Sequence, residues 1–91
     1  MTPAPPPPPI SAFYDTECYP NYWLLKLRPR GGQVYNFRLR AGQSFDADTV
    51  ERMRLLFDAY RVISFNGLRY DVPMIIAAMS GYTAEQLKWL N

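Results

Sequence analysis

The chain has 91 residues, a formal net charge of +2, 48% hydrophobic residues and 15% aromatic ones. That is room for one small domain with a packed core, and it argues against disorder. The absence of histidine excludes Ser-His and Cys-His catalysis and histidine metal sites from these residues. The lone Cys18 excludes an internal disulfide and suits a reducing compartment, and no apolar run approaches the roughly 18 residues of a membrane span. Residues 1–10 are a proline-rich tail, expected to be disordered, with six of the nine prolines between Met1 and Pro9. Pro5 to Pro9 suit an extended polyproline II helix and cannot join a sheet or a helix interior. The tail reads either as a ligand for an SH3-type partner or as a linker, and lies outside the fold. A single domain is expected from residue 11 to residue 91.

Ala12-Phe13-Tyr14 predicts a short strand ending at Asp15. Tyr22 to Pro29 and Val34 to Arg40 alternate apolar with basic residues around Gly31-Gly32, the pattern of a hairpin. Setting Leu25 and Leu27 opposite Leu39 and Phe37 requires an odd loop such as Gly31-Gly32-Gln33, and puts Lys26 beside Arg38 with Arg28 and Arg40 nearby. This basic row reads either as a charged edge that blocks aggregation or as a strip facing a polyanion.

Asp46 to Tyr60 predicts a helix capped by Asp48 with Glu51, with Val50, Met53, Phe57 and Tyr60 as its apolar stripe. Val62-Ile63-Ser64-Phe65 is a continuous run, as in a strand buried on both faces. Asp71 to Met79 predicts a second helix, with Val72, Ile75, Ile76 and Met79 inward and Gly81 as its stop. Thr83 with Gln86 forms a capping box for a last helix. The order β-β-β-α-β-α-α specifies an α/β fold with a mixed sheet, in which the fourth strand lies parallel beside the first. Phe13, Leu25, Leu27, Phe37, Leu39, Ile63 and Phe65 are its expected sheet core. That arrangement carries Asp15 toward the loop from Asn66 to Asp71, at the carboxyl ends of parallel strands where ligands gather in open α/β sheets.

Asp15-Thr16-Glu17 places two carboxylates on one face of an extended segment, with Cα atoms about 6.5–7 Å apart. Acids so close repel unless a cation lies between them, and an oxygen-only ligand set suits magnesium or manganese. The alternative is an ordinary surface pair. In the second segment, Asn66-Gly67 favours a turn, and Asp71 opens a helix with Pro73 in its first turn. Asp71 reads there as an N-cap or as part of a site with Asn66 and Tyr70.

Together, Phe13-Tyr14-Asp15-Thr16-Glu17 and Asn66-Gly67-Leu68-Arg69-Tyr70-Asp71-Val72-Pro73 resemble the first and second exonuclease motifs of the DEDD (DnaQ-like) superfamily. They are most similar to proofreading domains of viral and phage-type DNA polymerases. The resemblance implies a truncated ribonuclease H-like domain that hydrolyses nucleic acid from its 3′ end. Asp15, Glu17 and Asp71 would be its catalytic carboxylates and hold two Mg2+ or Mn2+ ions. Thr16, Asn66 and Tyr70 would contact substrate, with packing as the other role for Tyr70. The implied partners are a single-stranded DNA 3′ end, with RNA as the other substrate class, and the rest of a polymerase or nuclease chain; no membrane is involved. The implied setting is the cytoplasm of a bacterium or a phage-infected host. The family's third motif, a Tyr or His followed three to five residues later by a fourth carboxylate, is not matched by any aspartate after Asp71. The domain is therefore expected to be incomplete and inactive alone. The alternative function is a non-catalytic nucleic-acid or protein-binding module that keeps the fold and uses the basic hairpin.

Overall fold

A computed structural model of the chain describes residue 4 and residues 10–64 and 71–90, without the side chains of Ser64 and Asp71. The proline tract, Phe65, Asn66 and Tyr70 lie outside the described residues. Strands β1 (Ser11–Tyr19), β2 (Tyr22–Pro29) and β3 (Tyr35–Leu39) precede helix α1 (Ala47–Ala59). Strand β4 (Arg61–Ser64) and helices α2 (Asp71–Met79) and α3 (Ala84–Leu90) follow. The sheet order is β3-β2-β1-β4, with β1 antiparallel to β2 and parallel to β4, as the element order predicts. No helix among the described residues is long and apolar enough to cross a membrane.

All three helices pack on one face of the sheet. That face presents Ala12 and Tyr14 of β1, Trp23, Leu25 and Leu27 of β2, and Phe37 and Leu39 of β3. Met53 of α1, Met74, Ile75, Ala77 and Ala78 of α2, and Ala84 and Leu87 of α3 close over it. Phe45 stands edge-on to both Trp23 and Phe37, sealing the β3 end of the core. Leu25, Leu27, Phe37 and Leu39 are buried as expected, but Phe13 is 43% exposed and Ile63 is 37% exposed. The physical reason is the period of two. Residues 11, 13, 15 and 17 share the second face of the sheet, which no described helix covers.

Four further expectations are corrected. The first strand does not end at Asp15 but runs on to Tyr19, because Asp15 to Tyr19 find partners from Lys26 back to Tyr22 on β2. Tertiary pairing overrides the low strand propensity of the acids. The β2–β3 register is displaced by two residues, so Leu25 meets Phe37, Leu27 meets Tyr35, and Lys26 meets Asn36 in place of Arg38. An even displacement keeps every side chain on its face, sets Trp23 opposite Leu39, and separates Lys26 from a like charge. Five residues, Arg30 to Val34, separate the two strands. The loop begins with a turn in which Gly32 N–H donates to the Pro29 carbonyl at 3.2 Å, with Gly31 at φ 70°.

In α1 the cap is Asp46, not Asp48: Asp46 Oδ1 accepts from Thr49 N–H at 2.7 Å. Glu51 instead binds Arg54, which also reaches Asp58. Met53 is fully buried at the centre of the expected stripe. Helix α2 has its expected bounds, and of its expected inward residues Ile75 is buried and Met79 packs against the core, whereas Val72 and Ile76 are exposed and Met74 is buried in their place. It stops at Gly81, φ 98°, where Tyr82 N–H donates to the Ala77 carbonyl and Gly81 N–H to the Ala78 carbonyl, both at 3.2 Å. The α3 capping box forms as predicted, with Thr83 N–H donating to Gln86 Oε1 at 2.9 Å and Gln86 N–H to Thr83 Oγ1 at 3.2 Å.

Candidate functional site

Strand β1 is an interior strand, and its two neighbours cover different lengths of it. The parallel ladder with β4 pairs Ser11 to Tyr14 with Arg61 to Ser64. The antiparallel ladder with β2 continues from Ala12 to Tyr19. Asp15 thus sits one residue beyond the described β1–β4 ladder. The alternation of the strand puts Asp15 and Glu17 on the uncovered face and Thr16 on the helix-covered face, level with Leu25. Asp15 and Glu17 therefore share a face, and Thr16 lies on the other. Asn66 and Tyr70 lie outside the described residues, as does the side chain of Asp71. The backbone of Asp71 is the first residue of α2, seven positions after Ser64 ends β4. Among the described residues, no three carboxylates or thiols cluster as a metal site.

The surroundings of Asp15 combine charge with an apolar wall. Phe13, Asp15, Lys26 and Arg28, together with Tyr14, line a pocket of about 220 Å³. Lys26 is the register partner of Asp15, and Arg28 that of Phe13. Arg38 and Arg61 are exposed further out on the same face. A carboxylate edge next to two cations and a phenyl ring suits a phosphorylated ligand: the cations meet phosphate oxygens and the ring meets a base or other planar group. Sequence reasoning identified Asp15, Lys26 and Arg28 but assigned Phe13 to the core. The signal that finds it was present, because residues 13, 15 and 17 must share a face in any strand that includes all three.

Glu85 is a carboxylate three residues after Tyr82, the spacing expected of a third motif. Both its oxygens accept from Gly42 N–H, at 2.9 and 3.1 Å, so it ties the β3–α1 loop to α3. Helix α3 contributes Ala84 and Leu87 to the covered face, on the far side of the sheet from Asp15 and Glu17. Cys18, opposite Trp23 on that covered face, has its thiol pKa raised by burial, partly offset by the nearby Lys88 charge. It is a packing residue with reduced thiolate character. In comparison with known proteins, no family model matches the chain, and neither a curated protein nor a solved structure does.

Proposed function

We propose that the chain carries the first two motifs of a metal-dependent 3′→5′ exonuclease domain of ribonuclease H-like type, related to polymerase proofreading domains. The observation that carries this reading is the placement of Asp15 and Glu17 on one uncovered face of an interior strand, beside a pocket lined by Lys26 and Arg28. The mixed sheet, with β4 parallel to β1, supports an α/β plan of that kind. Asp15, Glu17 and Asp71 would hold Mg2+ or Mn2+, since paired carboxylates on one face favour a hard divalent cation that relieves their repulsion. Bound there, such ions supply water activation and neutralise charge at the departing 3′ oxygen. Lys26 and Arg28 meet the backbone phosphates of a single-stranded 3′ end, and Phe13 offers its terminal base a stacking surface. Asn66 and Tyr70 complete the substrate contacts. These residues bind and orient; among the described residues no further carboxylate joins Asp15 and Glu17 to finish the constellation.

A second reading has its own support. Lys26, Arg28, Arg38 and Arg61 share a face with the exposed Tyr19. That composition suits a module that binds nucleic acid without cutting it.

Titration with Mn2+ separates the two. Paramagnetic broadening in the amide spectrum should begin at Asp15, Glu17 and Asp71 and disappear in Asp15→Asn. End-labelled single-stranded DNA should be retained by the chain without appreciable degradation. Uniform weak broadening, indifferent to Asp15→Asn, together with DNA binding that needs no metal would replace the exonuclease reading with the binding module. Robust digestion by these 91 residues would show that the catalytic residues have been misassigned.

A further inference from the structure

The uncovered face of the sheet carries more than the pocket beside Asp15. Its strand residues hold four cations, Lys26, Arg28, Arg38 and Arg61, against two carboxylates, Asp15 and Glu17. The balance is complementary to a polyanion. Aromatic groups stand toward opposite ends of β1 on this face. Phe13, 43% exposed, is at one. At the other, Tyr19, 53% exposed, faces Tyr22 across the β1–β2 turn, with ring centroids 6.1 Å apart and planes at 49°. Between them the register sets a cation at each step on the β2–β3 side. Arg28 is level with Phe13, Lys26 with Asp15, and Arg38 with Glu17 across Leu24.

A hairpin end closed by two tyrosines gains some stability from their cross-strand contact. That accounts for the pair but not for the track of cations that joins it to Phe13. Single-stranded nucleic acid uses both parts, aromatic planes for its bases and a line of cations for its phosphates. We infer that Tyr19 and Tyr22 form a second base-stacking platform, which receives a nucleotide upstream of the single-stranded DNA 3′ end placed at Phe13. The inference rests on the nucleic-acid reading above. Six residues of strand carry β1 from Phe13 to Tyr19, about 20 Å at the usual rise. At the roughly 3.4 Å per nucleotide of a stacked strand, about six nucleotides reach both platforms, and fewer if the strand is stretched. A duplex keeps its bases stacked on one another, so only a single strand can use the two together.

The test uses the complete 91-residue chain. Amide-shift titrations measure its affinity for oligothymidylates of about four and about ten nucleotides, one too short to bridge the platforms and one long enough. The double variant Tyr19→Val/Tyr22→Val keeps strand propensity and removes both rings. It should bind the longer strand at least about fivefold more weakly, the loss usual for one stacked base, and leave the affinity for the shorter one unchanged. Tyr19→Phe/Tyr22→Phe keeps the rings and should bind both strands as the unmodified chain does. Arg38→Gln should lower the salt slope for the longer strand by about one and not that for the shorter. If the valine pair weakens both lengths alike, or neither, the second platform is overturned and the nucleic-acid reading stands. The phenylalanine pair losing as much as the valine pair would overturn stacking as its chemistry. Absence of binding at both lengths would remove the platform together with the reading it rests on. Binding confined to oligouridylates of the same lengths would overturn DNA as the occupant.

Discussion

Truncating Phe13 and Leu27, one at a time, to alanine measures which face of the sheet is packed. Leu27 has no exposed surface and lies on β2 between Tyr14 of β1 and Tyr35 of β3. Leucine-to-alanine changes at such sites lose transfer energy and leave a cavity, for a cost of about 3 kcal/mol. Phe13 is 43% exposed on the uncovered face. It keeps a little over half of its burial, worth about 1–1.5 kcal/mol, and its removal opens no enclosed cavity. For a domain of this size each kcal/mol lowers the melting temperature by roughly 4–8 °C. Leu27→Ala should therefore melt on the order of 12–24 °C lower, and Phe13→Ala only about 4–12 °C lower. Total stability is expected to be about 5–14 kcal/mol, so Leu27→Ala takes up a large share of it. Urea unfolding followed by circular dichroism checks this, with midpoints compared at constant m. If Phe13→Ala costs as much as Leu27→Ala, the second face is packed after all, and the open surface beside Asp15 does not exist.

Acid titration of stability should expose the α1 cap. Hydrogen bonds from Thr49 hold the Asp46 carboxyl below its ordinary value. Its contribution is complete above the unfolded value near about pH 4 and is lost as the pH falls through the lower folded value. Glu51, held low by its hydrogen bond from Arg54, acts with the same sign. Asp46→Asn keeps a capping side chain that does not titrate, so it should flatten the slope below about pH 4 while leaving stability at neutrality nearly unchanged. An unchanged slope would remove Asp46 from the account. Gly81→Ala should destabilise by about 1–2 kcal/mol through backbone strain alone, since an added Cβ meets nothing within 4 Å at φ 98°. A neutral result in urea unfolding would mean that the turn after α2 relaxes freely.

The elements that depend on near neighbours in the chain were legible in the residues themselves. Gly81 as the stop of α2, the Thr83–Gln86 box and the Met53 stripe each involve groups within a few positions of one another. The parallel placement of β4 beside β1 followed from element order and the rule for crossover connections. The pairing of Asp15 with Glu17 on one face likewise needed only the period of a strand. Distant partners decided the rest. Strand β1 continues through Asp15 and Glu17 because β2 offers it Lys26 to Tyr22. The β2–β3 register was chosen among faces-preserving alternatives by the match of Trp23 with Leu39 and the separation of Lys26 from Arg38. Which face of the sheet is covered was not readable from Phe13 or Ile63, because an apolar residue signals a preference for burial and not the presence of something to bury it. Only the packing of α1, α2 and α3 on one side determined that Leu27 is enclosed while Phe13 lies open beside the carboxylates.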